Sequence, residues 1–361
     1  MERRSAYWDI VKGIGIVSIV LGHSCFFAVK WVYAYHMMLF FFVSGYLYSD
    51  TKYKNRPAEY LGKKIGNFLP KFIIYESLLI IFNNVFVSLG ICEDLYKQTI
   101  KELVRGILNT AFFQHAYFGG SAWFVPLLIV TSGVFAYIIF LTDFYVRAWT
   151  AVGKMIVFVF LLMLSGGIGA WLCMQNWPLA AYGHLALLLQ PIMGGAFLLK
   201  KFYDLYSFRQ NCVTTIIGIL LSIAILIWLM EIEDGFIDIS ASMIISPLKF
   251  YMSSFSGIYL CLIVAKWIES LSFLRNIISY IGRLSFEIMV FHIMSFKLVD
   301  YVYTILLEQG DVVELGRLPY SYKNLWLVYL IGGIAIPISI KFIIGKINAI
   351  IVWTMKGLYQ K

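Results

Sequence analysis

Long apolar runs separated by short polar segments make up almost the whole chain. A run of about 20 apolar residues is long enough to cross the hydrocarbon core of a bilayer as an α-helix. The segment 94–113 differs, because its apolar residues recur at helical spacing among lysines and an arginine, as in a helix lying along a membrane surface. The pattern predicts an all-α, polytopic membrane bundle of about ten transmembrane helices, at 9–28, 32–49, 68–90, 121–142, 154–173, 179–199, 211–230, 243–265, 284–305 and 324–345.

Composition supports this interpretation. Hydrophobic residues make up 61% of the chain and charged residues 14%, and the mean hydropathy is +0.81, whereas an average soluble domain carries about 25% charged residues. These values exclude an ordinary soluble protein. Because no linker or low-complexity segment interrupts the apolar runs, residues 1–361 are expected to form one domain. The first run lacks a small-residue cleavage site, so we expect it to remain as a helix.

The distribution of positive charge predicts the orientation. Most of the 29 lysines and arginines fall in alternate loops, on the side that also holds both chain ends. Because cytoplasmic loops of membrane proteins are enriched in lysine and arginine, both termini are predicted to be cytoplasmic, in the cell inner (plasma) membrane. The acidic segment 231–240 then lies outside. The net charge of +9 reflects this topology, so a nucleic-acid partner is not expected.

The five cysteines are scattered, with no Cys-x-x-Cys pair and no histidine at zinc-motif spacing. This arrangement supports neither a disulfide framework nor a zinc site. We therefore expect no metal.

The first predicted hairpin concentrates polar residues at membrane depth, where they are costly. With a turn near Val29–Lys30, His23 on the first helix and His36 on the second both lie about 10 Å below the tip. The two imidazoles then face a shared cavity, or each donates to a backbone carbonyl as a buried packing residue. Gly13, Gly15, Gly22 and the Ser44–Gly45 pair similarly indicate close helix packing or room for a ligand.

Basic residues gather at the cytoplasmic end of this hairpin. Asp9 and Lys12 are three residues apart and can pair on one helical face. The next cytoplasmic segment holds Lys63, Lys64 and Asn67. Such a cluster is ordinary positive-inside charge, or it is the docking site of a phosphorylated cofactor.

Four groups of residues stand in a recognisable order along the chain. They are Asp9, Lys12, Gly13 and His23 followed by His36, Met37, Leu39-Phe40-Phe41-Phe42 and Ser44-Gly45-Tyr46; Lys63 and Lys64 through Asn67 to Pro70; Trp123-Phe124-Val125-Pro126; and Arg283-Leu284-Ser285 with His292. Together they resemble membrane acyltransferase family 3, whose members O-acetylate sugars of bacterial O-antigens, capsules, exopolysaccharides and related glycans.

The resemblance implies acyl-CoA, usually acetyl-CoA, as donor and His23 as the catalytic histidine. It also implies that Lys12, Lys63, Lys64 and Asn67 lie near the CoA phosphates, at positions where the family often has arginines. Lysine binds phosphate as a point charge but lacks the bidentate fork of arginine. The difference therefore bears on how CoA is held rather than on whether it binds. Many larger relatives carry an additional extracytoplasmic domain, which we do not expect here.

Two hypotheses follow. In the first, the protein is an O-acyltransferase: neutral His23 takes the proton of a sugar hydroxyl that attacks the thioester, or forms an acyl-histidine intermediate. His36 then orients His23, assists proton transfer or lines the pocket. In the second, the protein is a transporter or flippase for a glycan or lipid-linked sugar, since buried histidines also suit proton coupling. Internal repeats typical of transporters are not evident.

Several other residues are candidates for contacting a substrate. They are Asp9, Ser44, Tyr46, Trp123 and His292. Two carboxylates within predicted spans, Glu76 and Glu287, are expected to pair with neighbouring donors.

Overall fold

The computed structural model describes residues 6–91, 95–206, 211–307 and 323–359. These ranges are mostly helical, with turns and short loops between the helices and one isolated β-bridge between Asp238 and Met243. The α-helices are α1 Ala6–Gly22, α2 Val29–Tyr33, α3 His36–Tyr46, α4 Asp50–Tyr53, α5 Pro57–Ser88, α6 Ile100–Thr110, α7 Phe124–Tyr145, α8 Ala151–Met174, α9 Gly183–Leu188, α10 Gln190–Tyr206, α11 Cys212–Ile227, α12 Pro247–Ser270, α13 Ser272–Arg283, α14 Ser285–Leu307 and α15 Trp326–Tyr359. Short 3₁₀ turns precede α7, α9 and α15, and one π-helical turn, Trp228–Ile232, ends α11.

Eight helical segments of the described chain are long and apolar enough to cross a membrane, which makes this a multi-pass membrane protein. They are Pro57–Ser88, Tyr117–Tyr145, Ala151–Met174, Gly183–Tyr203, Cys212–Ile232, Pro247–Ser270, Ser285–Ile305 and Trp326–Lys346. Each coincides with one of the runs predicted from 68–90 onward. The predicted count of about ten is not confirmed, and the two predicted spans that are missing are those of the first hairpin.

The first hairpin is shorter and more broken than its hydropathy predicts. Helix α1 has 17 residues and α3 has 11. The turn expected at Val29–Lys30 is wrong: α1 ends at Gly22, and the chain turns over residues 23–28, with Cys25 at φ 60°. A second break lies at Tyr35 (φ −142°, ψ −22°), between α2 and α3. Hydropathy records only apolar character, so it could not locate these breaks.

Helix α1 lies inside the bundle and packs against α3, α12, α13, α14 and α15. Its contact with α13 depends on two glycines. A Cβ atom at Gly13 would lie 2.2 Å from the carbonyl oxygen of Ile278, and one at Gly282 would lie 1.8 Å from that of Asp9. Because both neighbours are backbone atoms, neither position has room for a side chain. At Gly13, close helix packing is therefore the interpretation that the structure supports.

Buried ionisable groups join several elements of the bundle. Glu76 of α5 is fully buried and accepts the Ala116 N–H at 2.6 Å. Glu287 of α14 accepts from the Tyr75 hydroxyl at 3.1 Å and pairs with Lys341 of α15 at 3.2 Å. Both carboxylates thus have neighbouring donors, as predicted. A further fully buried group on α14 and α15 consists of Lys297, Asp300 and Tyr329, in which Asp300 accepts from both partners.

The amphipathic segment forms α6, which begins with a capping box between Thr99 and Glu102 and packs on α5. Its position along a membrane surface stays a prediction. The same holds for the location of both termini, since residues 1–5 and 360–361 lie outside the described residues.

Candidate functional site

Three histidines from different helices meet beside the turn of the first hairpin. His23 is the first residue after α1, His36 opens α3 and His292 lies on α14. The His23 and His292 ring centroids are 5.3 Å apart, with the rings inclined by 34°. Tyr33 of α2 joins them: its ring lies 4.8 Å from that of His36, and its hydroxyl is 3.4 Å from Nδ1 of His23. We call these four residues the imidazole cluster.

Backbone hydrogen bonds set the tautomers of two of the three histidines. Nδ1 of His36 lies 2.8 Å from the carbonyl oxygen of Val32. Nδ1 of His292 lies 2.8 Å from that of Met289 and 3.1 Å from that of Ile288. A carbonyl oxygen only accepts, so Nδ1 carries the hydrogen in both rings and Nε2 carries the lone pair.

Exposure separates His23 from the other two. His36 is 3% exposed and His292 is completely buried, whereas His23 is partly exposed. The expectation of a buried histidine donating to a carbonyl therefore describes His36 and His292. His23 is the imidazole of this cluster with the most surface open to an incoming molecule.

His23 and His36 line one cavity, as one of the two sequence interpretations expected. Its wall also contains Tyr33, Trp123, Asp238 and the apolar and hydroxyl side chains Ile19, Met37, Ser121, Ile237, Ile239, Ser240 and Met289. The Ser121 hydroxyl donates to the carbonyl of Met289 at 2.5 Å and so ties the turn before α7 to α14. The cavity thus lies between helices that are far apart in sequence.

The acidic segment 231–240 covers this cavity and is attached to α2 by three contacts. Lys30 pairs with Asp234, the Trp31 indole donates to Glu231 at 2.5 Å, and the Tyr33 ring stacks on Phe236 at 5.1 Å. The Lys30 ammonium holds the pKa of the Asp234 carboxyl below its usual range. These contacts bring Asp238 to the cavity wall, where its carboxylate accepts from the N–H and hydroxyl of Ser240 at 2.9 and 2.5 Å.

The basic residues of the sequence analysis lie at the opposite end of the hairpin, which we call the basic end. Lys12 pairs with Asp9 at 2.7 Å, as their spacing predicted. Lys64 donates to the Ser44 hydroxyl at 2.7 Å. Lys63 and Asn67 are exposed on α5. Along α1, Lys12 and His23 are 11 residues apart, or about 16 Å.

The two aromatic candidates are divided between these ends. Tyr46 belongs to the basic end, with its ring centroid 4.1 Å from that of Trp8 and the Lys200 ammonium 5.9 Å above it. Trp123 belongs to the cavity wall and lies 5.9 Å from the Tyr182 ring. The structure therefore brings Trp123 and His292 to His23, and places Asp9, Ser44 and Tyr46 with the lysines.

Within the described chain no disulfide joins Cys25, Cys173, Cys212 or Cys261, and Cys92 lies outside the described residues. Among the described residues, no group of three histidine, cysteine or carboxylate side chains has a geometry that could hold a metal ion.

A family model described as an acyltransferase domain matches residues 5–344, nearly the whole chain. The chain belongs to acyltransferase family 3. The matched region includes both the imidazole cluster and the basic end. Comparisons with curated proteins and with solved structures gave no significant match.

Among the cavity residues of this family 3 protein that sequence reasoning did not identify are Tyr33 and Asp238. The sequence carries no signal that distinguishes Tyr33, since a tyrosine near a helix end is typical of a membrane interface. Asp238 was interpreted only as part of an acidic outer loop. The contact of Tyr33 with His23 depends on the chain reversal at residues 23–28, and the position of Asp238 depends on the reversal after the π-helical turn. The hydropathy pattern reveals neither reversal.

Proposed function

We propose that this family 3 protein is a membrane O-acyltransferase. It moves an acyl group, most simply acetyl, from cytoplasmic acyl-CoA to a hydroxyl of a cell-surface or lipid-linked glycan at the bacterial plasma membrane. The observation that carries the proposal is the difference among the three histidines. His23 is partly exposed in the cavity, whereas His36 and His292 are buried and bonded to backbone carbonyls.

His23 acts as the general base. Its neutral imidazole takes the proton of the acceptor hydroxyl while the hydroxyl oxygen attacks the thioester carbonyl. The new C–O bond forms, the C–S bond breaks, and the proton passes from His23 to the departing thiolate, so that CoA leaves as a thiol. Tyr33 and His36 hold the surroundings of His23, since the Tyr33 ring packs on His36 and its hydroxyl contacts His23.

The basic end binds the donor. Acyl-CoA carries its phosphates at one end of a long flexible arm and its thioester at the other. A separation of about 16 Å along α1 between Lys12 and His23 suits such a molecule. Lys12, Lys63 and Lys64, with Asn67, would contact the phosphates by charge-assisted hydrogen bonds. Asp9, Ser44 and Tyr46 then border the arm.

The cavity end binds the acceptor. Trp123 and Asp238 lie in its wall with His23. An indole face packs against the apolar face of a sugar ring, and a carboxylate accepts hydrogen bonds from sugar hydroxyls. His292 lies behind His23, out of reach of the sugar.

The test is label transfer by purified protein in vesicles. Acetyl-CoA labelled in the acetyl group is supplied on the side of the chain ends, and extracted glycan or lipid-linked saccharide is supplied as acceptor. We expect label to become covalently attached to the glycan with the wild type, and this attachment to fall by a factor on the order of 10³ with His23→Ala.

His115→Ala is the matched control, because His115 is exposed and lies outside the cavity. It should transfer label at the wild-type rate. A folded His23→Ala protein that transfers label at full rate would remove His23 from the mechanism. Glycan movement across the vesicle without any label on it would favour the transporter hypothesis instead.

A further inference from the structure

The Nε2 atom of His292 is a buried acceptor that no described protein atom satisfies. His292 has no exposed surface, and its Nε2 has no hydrogen-bond partner within the described residues. Its Nδ1–H is already used by the Met289 carbonyl, so Nε2 carries a lone pair. A buried polar atom left without a partner costs free energy. Such an atom is therefore expected to acquire a partner at some stage of the reaction.

His23 is a neighbouring side chain that can donate to Nε2 of His292. The two ring centroids are 5.3 Å apart, and an N–H···N hydrogen bond of about 2.9 Å between imidazoles places their centroids roughly 5 Å apart. The distance is thus already suitable, and a modest rotation of the His23 ring about its χ2 torsion would align the bond. His23 is free to make this rotation because it lies in the turn after α1 and is partly exposed.

We propose that His292 is a positioning residue, whose Nε2 accepts the N–H of His23 and so selects the tautomer in which the other nitrogen of His23 carries the reactive lone pair. The Tyr33 hydroxyl, 3.4 Å from Nδ1 of His23, can donate to Nδ1. In that arrangement Nδ1 carries the lone pair and the Nε2–H is left for His292. This inference rests on the proposed role of His23 as general base.

The proton balance is simple. When His23 takes the hydroxyl proton on Nδ1, it becomes an imidazolium whose Nε2–H remains shared with Nε2 of His292. The neutral His292 stabilises this cation by accepting from it, as the buried carboxylate does in a serine-protease triad. When the proton passes to the thiolate, His23 returns to the same tautomer. His292 is not itself protonated at any step.

Two amide substitutions distinguish this role from a purely structural one. In His292→Gln the side-chain carbonyl can occupy the place of Nε2 and accept from His23. In His292→Asn the amide can replace only Nδ1 and its bond to the Met289 carbonyl. His292→Phe keeps the ring shape and loses both functions. His115→Gln and His115→Asn are the controls, since that exposed imidazole also lies 3.3 Å from a backbone carbonyl.

In His292→Asn and His292→Phe we expect kcat of label transfer to fall roughly 10²-fold, with KM for acetyl-CoA unchanged. In His292→Gln we expect kcat to stay within about tenfold of the wild-type value. The His115 controls should match the wild type. If Asn restores activity as well as Gln or better, the role of His292 is structural and the proposal is wrong. Inactive wild-type protein would instead contradict the proposed function itself.

Chemical rescue gives a second measurement if an amide variant does not fold. In His292→Ala, added imidazole can supply an acceptor nitrogen in the space that the substitution leaves, whereas pyrrole has an N–H but no acceptor lone pair. We expect imidazole to raise kcat at least several-fold and pyrrole to have no effect. Equal rescue by both molecules, or rescue by neither, would overturn the proposal.

Discussion

The imidazole cluster and the basic end lie on the same first hairpin but are built differently. At the cluster, His36 and His292 are buried and bonded to backbone carbonyls, and the Tyr33 ring packs on His36, so their positions are set by the surrounding helices. At the basic end, Lys12 pairs with Asp9 and Lys64 donates to Ser44, and Lys63 and Asn67 are exposed. The difference indicates that one end depends on fixed geometry and the other on charge.

Such a division suits a transfer reaction with one flexible, charged donor. Phosphates need attraction and tolerate some freedom, whereas proton transfer requires a base held within hydrogen-bond distance. Substitutions at the cluster should therefore change kcat, and substitutions at the basic end should change KM for the donor. The predictions below run from the largest effect to the smallest.

The contact between α1 and α13 should be the most sensitive, because α1 carries Lys12 and directly precedes His23. In Gly282→Ala the new Cβ would lie 1.8 Å from the carbonyl oxygen of Asp9, and backbone cannot move aside as a flexible side chain does. We expect a loss of stability of about 3 kcal/mol, with donor binding and transfer lost together, measured by thermal unfolding in detergent. Gly66→Ala is the control, because nothing lies within 4 Å of its added Cβ. If Gly282→Ala unfolds like Gly66→Ala, the two helices are not packed as described.

Removing the partly buried lysine should test the basic end. Lys64→Met keeps the length of the side chain and removes the ammonium that donates to Ser44. We expect KM for acetyl-CoA to rise about tenfold, since a charge-assisted hydrogen bond contributes roughly 1.5–3 kcal/mol, while kcat changes much less. Initial-rate kinetics at varied acetyl-CoA measures both values. Lys97→Met, at an exposed position, should change neither; a fall in kcat alone for Lys64→Met would place Lys64 with the chemistry instead.

A smaller displacement should test the geometry of the cluster. A Cβ at Gly22 would lie 3.0 Å from Cε2 of Tyr33, so Gly22→Ala should shift that ring away from His23 by a few tenths of an ångström. We expect kcat to fall roughly 10-fold, because a small misplacement of a catalytic constellation is costly, with KM for acetyl-CoA unchanged. Gly62→Ala, where the added Cβ meets open space, should leave kcat as in the wild type. An unchanged kcat in Gly22→Ala would show that the position of Tyr33 does not matter.

The smallest effect is expected at the outer surface of the cavity. Lys30→Ala removes the ion pair with Asp234, whose carboxylate is 84% exposed. Exposed ion pairs contribute little because solvent screens them, so acceptor KM should rise only about twofold. Because the pKa of Asp234 is lowered in the folded protein, the pair contributes above the unfolded pKa of that carboxyl and is lost as pH falls through the lowered value. The twofold difference between variant and wild type should thus disappear in strong acid and in high salt; a difference that persists there would have another cause.

Hydropathy measures only how apolar a segment is, so it predicts continuous apolar helices and does not predict breaks within them. The last eight spans were predictable because each is a continuous apolar run. The first hairpin was not, since its breaks at residues 23–28 and at Tyr35 occur within equally apolar sequence. The Asp9–Lys12 pair was predictable from helical spacing alone.

The partners of His23 were harder to predict. His292 lies far along the chain, and its position beside His23 depends on α14 packing against α1, which no local pattern specifies.

The buried Lys297–Asp300 pair did carry a local signal, two opposite charges three residues apart within an apolar run. For Asp238, the acidic composition of its segment predicts only an outer loop. The position of that loop over the cavity depends on tertiary contacts, such as the ion pair of Lys30 with Asp234, which composition does not specify.

The central claim is that donor binding and chemistry are separated along the hairpin, and acetyl-CoA binding to the His23→Ala protein tests it most directly. A titration of the purified variant in vesicles with labelled acetyl-CoA would give its Kd beside that of the wild type and of Lys64→Met. The account predicts a wild-type Kd for His23→Ala with almost no transfer, and a Kd about tenfold weaker for Lys64→Met. A Kd for His23→Ala weakened as much as that for Lys64→Met would contradict the separation.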